Sequence, residues 1–326
     1  GAQVWPKPFG FRVQFSHMPR TPRTEESIFD FDALDGLQFP AGEKHAEAAR
    51  SEAQEGDPDR EVRGMDPYRA AVRLALEDES AFAVFKRDPS YRVVLEHVWP
   101  SLGAQYLESF QRSAPGLWKE LEEPVRRNNS VGCPLLHTFP GVGLVSPTQL
   151  RYLKVLADLR GLLGPGGLDG LRIVEFGVGY GGQCQIILAA HRVASYVLID
   201  FPEVELLARR YLKETLEADR REVASLYQDL PRKTLKADLF ISNYALSELR
   251  KPLQCQYFRD VVRGSRRGYV TYNKATDAGA MPVDEFGQML RQEGLIPTIV
   301  PEEPYIAPDC WIVTWEPSAR TERQKK

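Results

Sequence analysis

Residues 171–187, LRIVEFGVGYGGQCQII, restrict the fold more than any other part of the chain: an apolar run ends in an acid, then opens into a glycine-rich turn and helical text. Gly177 and Gly179 carry no Cβ, so the backbone can turn sharply there and let a ligand lie against bare peptide; Gly181 and Gly182 let the next helix start close to the strand. Strand, glycine turn and helix in this order form the nucleotide-type corner of an open α/β sheet.

The text around that corner supports the same architecture. A cap and proline at Ser146-Pro147 start a helix through Leu150, Leu153, Leu156, Leu159 and Leu163, which ends in the breaker Gly164-Pro165-Gly166-Gly167. Strands are then expected near 171–176, 195–200, 223–227, 237–243, 267–273, 295–300 and 310–316, with helices near 181–191, 203–218, 252–263 and 282–293. Such alternation gives a mostly parallel sheet covered on both faces. Only PEEPYIAPD separates the last two strands, so they are expected to pair antiparallel. The expectation is an α/β protein with a Rossmann-like, seven-stranded, mostly parallel sheet. It resembles the class I methyltransferase fold more than a six-stranded dinucleotide domain.

The glycine turn alone admits two cofactors. Gly177, Gly179 and Gly182 spell G-x-G-x-x-G, and Asp200 follows near the end of the next strand, as in dinucleotide sites. Glu175 separates the readings, because a carboxylate two residues before the first glycine would repel a diphosphate. S-adenosylmethionine has no phosphate and carries an ammonium and a sulfonium, which an acid there would favour. Asp200 can then accept both ribose hydroxyls, Phe201 can border the adenine, and Asp229 in YQDL falls where the adenine amine would lie. Asp200 also precedes Pro202 and could simply cap the next helix.

Composition narrows the partners. With 43% apolar and 27% charged residues, the 326-residue chain is ordinary for a globular protein of one large or two modest domains. Forty-two Lys and Arg against 45 Asp and Glu leave a net charge of −3, so nothing global points to nucleic acid or an anionic membrane. No apolar run is long enough to span a bilayer, and a cytoplasmic location is expected; the start at Gly1-Ala2 leaves room for a removed targeting segment. Cys133, Cys184, Cys255 and Cys310 lie far apart without zinc spacing and read as small apolar residues.

The N-terminal part divides in two. Residues 1–65 read as an extended, partly disordered arm: Trp5, Phe9, Phe11, Val13 and Phe15 could form an edge strand or a pad against the body or a second subunit, and a charged run follows. From 66 to 145 the pattern is helical, with Asp66 and Pro67 opening the first helix and apolar residues at threes and fours over 91–99 and 102–121. This is expected to be a cap, concerned with substrate or oligomer, ahead of a cofactor domain over 146–317 and a charged tail over 318–326.

The fourth strand carries the most distinctive text, DLFISNYALSEL at 238–249, which sets Asn243, Tyr244, Ser247 and Glu248 at its carboxyl end. EFGVGYGGQ, LIDFPEV, SNYALSEL and RRGYVTYN, in that order and with NNSVGCP at 128–134 upstream, resemble the sugar O-methyltransferases, including those that decorate glycosides in natural-product clusters. The resemblance covers roughly residues 125–275. It implies a methyl-donor domain and a sugar, glycoside or glycan hydroxyl as acceptor.

The chemistry then needs an acceptor oxygen aligned with the methyl–sulfur bond and a route for a proton of very high pKa. His137 and Glu248 are the candidate bases. The donor is assigned to Glu175, Gly177, Gly179, Tyr180, Gly181, Asp200, Phe201, Asp229 and Asn243, and the acceptor to Asn129, Tyr244, Ser247 and Asn273. Tyr180 and Tyr244 could also flank a sugar ring. A divalent metal such as magnesium is an alternative to the base, although no tight carboxylate or His cluster calls for one. Two other readings stand beside this one: a dinucleotide-dependent oxidoreductase, and a non-catalytic protein of the same fold that binds a partner through the aromatic arm.

Overall fold

Apolar strands alternating with helices can bury both sheet faces only if the helices cross over on either side. A computed structural model describes residues 65–230, 235–273, 279–307 and 309–318; the expected arm, and the tail beyond 318, lie outside them. Helices α1 (Asp66–Glu77), α2 (Glu79–Val84), α3 (Pro89–Arg92), α4 (Pro100–Ser113) and α5 (Leu117–Ser130) come first. A ribbon of β1 (His137–Phe139) and β2 (Gly143–Val145) follows, and then α6 (Pro147–Leu163).

The helical cap differs in detail from the sequence expectation. Its first helix is interrupted where Asp78 Oδ1 accepts from Ala81 N at 2.8 Å, and again where Asp88 Oδ1 accepts from Tyr91 N at 3.0 Å. Aspartate side chains that satisfy the free N–H groups of a new turn compete with continuation of the old one. The helix expected over 91–99 stops at Arg92, and turns carry the chain to Pro100. Ser146 takes the cap position of α6 ahead of Pro147 as expected, but sends its hydroxyl to Glu96 Oε2 at 3.2 Å and not to the helix.

The sheet strands are β3 (Arg172–Phe176), β4 (Ser195–Ile199), β5 (Ala224–Leu226), β6 (Ala237–Asn243), β7 (Ser265–Asn273), β8 (Leu295–Pro301) and β9 (Cys310–Pro317). Their spatial order is β5-β4-β3-β6-β7-β9-β8. The first five pair in parallel, while β9 runs antiparallel to both β7 and β8. This is the Rossmann-like sheet of class I methyltransferases, with the reversed last strand inserted next to the edge. β8, which carries Pro297 and Pro301, takes the edge position that prolines tolerate.

Crossovers are α7 (Gly182–Ala190) between β3 and β4, α8 (Pro202–Thr215) with α9 (Ala218–Arg221) between β4 and β5, and α10 (Ala245–Glu248) with α11 (Lys251–Asp260) between β6 and β7. Helix α12 (Val283–Gln292) leads into β8. Val174, Phe176, Phe240, Val270, Tyr272, Phe286, Val313 and Trp315 form one continuous core cluster.

The cap and the sheet share an interior. Lys86, fully buried, donates to Asn128 Oδ1 at 2.8 Å, and the same oxygen accepts the Tyr211 hydroxyl at 2.5 Å. Its ammonium lies 4.2 Å from the Tyr180 ring centre and 4.8 Å from that of Tyr211. Burial pushes the Lys86 pKa down to about 7, with the Glu96 carboxyl pulling the other way. The described residues from Pro67 onward form one compact unit.

Candidate active site

In an open α/β sheet a ligand lodges beyond the carboxyl ends of the strands, where the winding changes direction. Here that point lies between β3, whose crossovers build outward to β4 and β5, and β6, which builds the other way to β7. The turn after β3 and the segment after β6 meet there: a Cβ on Gly177 would stand 2.0 Å from the Ala245 Cβ. Gly177 has φ +77° and donates its N–H to Ile199 O at 2.8 Å, so the turn is tied to the end of β4.

Glu175 sits one residue before the end of β3 and is buried, accepting the Tyr196 hydroxyl on Oε2 at 2.6 Å. Burial raises its pKa to about 8; the Tyr196 bond opposes that shift and the Asp200 charge adds to it. Asp200 follows β4 and ties two loops, accepting Gly179 N on Oδ2 at 3.0 Å and Phe201 N on Oδ1 at 2.8 Å. Burial raises its pKa to about 7 against those two bonds. Phe201, not Asp200, occupies the cap position of α8, so the capping alternative does not hold. Each Asp200 oxygen keeps a second lone pair for a further donor.

Glu205, which sequence reasoning passed over, closes the other side. It accepts Asp200 N at 3.2 Å and Gln228 N at 3.1 Å, clamping the loops after β4 and β5 together. An acid in the first turn of a Pro-started helix was the available signal.

The other donor assignments divide. Gly181 has φ +85° and takes the cap position of α7. The bare peptide expected at Gly177 and Gly179 is covered by protein, by Ala245 and by Leu95, whose Cδ1 is 2.6 Å from the Cβ that Gly179 lacks. Tyr180 is fully buried among Phe85, Tyr152 and Tyr211, with ring centres 4.9–6.0 Å apart, and so packs the cap onto the sheet. The Phe201 ring lies under the Arg69 guanidinium at 4.6 Å. Asp229 is exposed and pairs with Arg209 at 3.5 Å.

The residues after β6 come together as their spacing suggested. Asn243 Oδ1 accepts the Thr271 hydroxyl at 3.1 Å, and Tyr244, at φ +67°, donates its hydroxyl to Glu302 Oε1 at 2.5 Å. Ser247 Oγ donates to Tyr244 O at 2.7 Å and accepts Asn273 N at 3.2 Å; Asn273 Nδ2 donates to Glu248 Oε1 at 2.8 Å. Burial pushes the Glu248 pKa up to about 8, and the Asn273 bond holds it from rising further. A non-glycine residue in the positive-φ region stores on the order of 1–3 kcal/mol, and such residues cluster at functional sites.

His137 and Asn129 stand apart from this group. His137 faces Val145 across the β1–β2 ribbon, and Asn129 Nδ2 donates to Leu144 O at 3.1 Å, fastening α5 to the same ribbon. Among the described residues neither shares a hydrogen bond with Glu248 or Asn273. Two buried residues unmarked by the sequence reading, Arg151 of α6 and Glu302 after β8, flank Tyr244 instead. A charge interrupting the leucine-rich α6 was the signal for the first.

Among the described residues no helix is long and apolar enough to cross a membrane, and no three His, Cys, Asp or Glu side chains converge as a metal site would need.

No family model matches the chain, and no curated protein matches it. Similar solved structures include the methyltransferase domain of bacterial CtHen1, at 13% identity, 51% of this chain, 97% of that chain and a TM-score of 0.37. A second is magnesium protoporphyrin IX methyltransferase from Synechocystis PCC 6803 with bound SAM, at 14% identity, 52% of this chain, 84% of that chain and a TM-score of 0.38. The strand order given above is what assigns the fold.

Proposed function

We propose that the chain is an S-adenosylmethionine-dependent methyltransferase whose acceptor is a hydroxyl oxygen of a sugar or glycoside. The observation that carries the donor is the buried Glu175 two residues before the first glycine, with Asp200 just beyond the end of the neighbouring strand. Two carboxyls held above their usual pKa have no cation partner among the described residues, and an ammonium with a nearby sulfonium suits them; a diphosphate does not. The magnesium protoporphyrin IX methyltransferase, solved with SAM, has a donor of this kind.

Glu175 would hold the ammonium, Asp200 the ribose hydroxyls, and the loop after β6 would face the methyl group. The donor supplies a methyl already activated on sulfonium. Glu248 would take the proton of the acceptor hydroxyl as the new O–C bond forms and the C–S bond breaks, leaving a neutral thioether. A carboxyl with a pKa of about 8 is well matched to such transfer near neutral pH. Asn273 would keep that carboxyl aimed. The sugar acceptor is supported by the ordered resemblance of residues 125–275 and by the polar density of Asn243, Tyr244, Ser247 and Asn273.

A parallel titration with S-adenosylhomocysteine and NAD tests the donor, and methyl transfer to a panel of glycosides tests the acceptor. Binding of the homocysteine compound with O-methyl product is expected. Tight NAD binding with no response to the homocysteine compound overturns the reading in favour of an oxidoreductase.

A further inference from the structure

One buried charge near the loop after β6 keeps donors in reserve, although its guanidinium also bonds the Tyr152 side chain. Lys154 of α6 pairs with Asp158 at 2.8 Å, and Asp158 Oδ2 also accepts the Tyr269 hydroxyl at 2.6 Å. Glu302 has Oε1 engaged by Tyr244 and its other oxygen buried without a close donor. Arg151, only 6% exposed, is the cation with donors to spare: its Nε and Nη1 meet no hydrogen-bond acceptor among the described residues. The guanidinium lies 5.5 Å from the centre of the Tyr244 ring and 5.6 Å from that of Tyr152.

An arginine cannot shed its proton to escape burial, so the positive charge stays. Glu302 lies within electrostatic reach of Arg151 and Lys154, but burial lifts its pKa to about 7 and it offsets them only in part. The buried cluster of Arg151, Tyr106, Tyr244 and Glu302 therefore carries net positive character with unused planar donors. Tyr244 ties this cluster to the loop after β6, where the acceptor is expected.

The geometry points to Arg151 as the receptor for a carboxylate carried by one of the two bound substrates. This rests on the methyltransferase reading and deepens it. A carboxylate matches the planar guanidinium, and two sources supply one: the amino-acid end of the donor, or an acidic acceptor such as a uronic acid. In the first case Arg151 and Glu175 would grip opposite charges of one amino acid. In the second the acceptor is an acidic sugar, not a neutral one.

The test uses the full chain, wild type and Arg151→Gln, with four probes. S-adenosylhomocysteine is compared with 5′-methylthioadenosine, which lacks the amino acid; glucuronate is compared with glucose in the presence of S-adenosylhomocysteine. The variant is expected to lose about 10- to 100-fold in affinity for one carboxylate probe while its uncharged counterpart binds as before. Loss on the homocysteine compound assigns the donor end, and loss on glucuronate assigns the acceptor. Arg151→Lys should recover part of the loss, since it keeps the charge without the planar fork.

If Arg151→Gln does not fold, the 15N signal of the wild-type Arg151 Nε decides: it should move with the carboxylate probe and stay with the neutral one. All four probes binding the variant as they bind wild type, or an Nε signal indifferent to every probe, overturns the inference. Wild type binding neither adenosine compound defeats the donor reading instead; Arg151 is then judged by its Nε response to glucuronate alone.

Discussion

The Tyr196 hydroxyl donates to Glu175 Oε2 at 2.6 Å, beneath the glycine turn and within a wholly buried pair. The bond stabilises the ionised carboxyl, yet burial wins and leaves the pKa at about 8. A cation bound there favours the ionised form, so donor binding near neutral pH must release a proton. Affinity for S-adenosylhomocysteine is expected to rise with pH by up to about tenfold per unit and to level off near 8. Glu175→Gln should bind more weakly and lose this pH dependence. Calorimetric titration in buffers of different ionisation heat reads both effects; wild-type affinity in the variant refutes the role given to Glu175.

The bond from Asn273 Nδ2 to Glu248 Oε1 sets a second expectation. With a pKa of about 8, Glu248 is mostly protonated at pH 7 and becomes a base as pH rises, so kcat/KM should climb with a midpoint near 8. Glu248→Gln should reduce kcat by about 100- to 10,000-fold with donor affinity kept. Asn273→Ala removes a bond that lowers this pKa, and the midpoint should move up. If Glu248→Gln leaves the profile intact while His137→Ala lowers and flattens it, the base is His137.

Local text carried much of the fold. The strand before the turn, the two glycine breaks and the alternation after 167 fix element type because each side chain's face follows from period and end signals alone. Pairing is less local. That β8 and β9 lie antiparallel follows from their short connection, but the insertion of β9 between β7 and β8 depends on contacts such as Val313 with Val270 that no window contains. The site was legible in the same proportion. Ser247 and Glu248 stand out because polar residues follow an apolar strand, and Asn273 because it ends the RRGYVTYN strand; the structure brings the three side chains together. Leu95, Arg151 and Glu302 were not, since each reaches the site from an element far away in sequence. Tyr180 misled because its place in the glycine turn says nothing about which way its ring faces; the rings of Phe85, Tyr152 and Tyr211 decide that.

Gly177 offers a steric test of the contact between the two central loops. A Cβ there meets the Ala245 Cβ at 2.0 Å and sits on a backbone at φ +77°. Gly177→Ala should cost about 1–2 kcal/mol for the left-handed backbone and about 1–3 kcal/mol for overpacking. Adding Ala245→Gly should return the second part and leave the first. Denaturant unfolding of the two single variants and the double variant measures the split. Strict additivity would mean that the loops do not touch there.

Lys86 makes a prediction about stability that is independent of the active site. It is buried against Asn128, Tyr180 and Tyr211, and its pKa falls from 10.5 to about 7 on burial. Between pH 7 and 10.5 the unfolded chain holds a proton on this lysine that the folded chain lacks, so folding stability must rise with pH across that window. The contribution is full above the unfolded value and is lost as pH drops through about 7. Lys86→Met keeps the aliphatic stem between the rings and removes the titration. Urea unfolding of both proteins at pH 7, 8 and 9 should therefore diverge. Wild type should gain up to about 1.4 kcal/mol per unit relative to the variant. Parallel curves would show that water or a counter-charge reaches the ammonium, and that the cap is not sealed onto the sheet at this point.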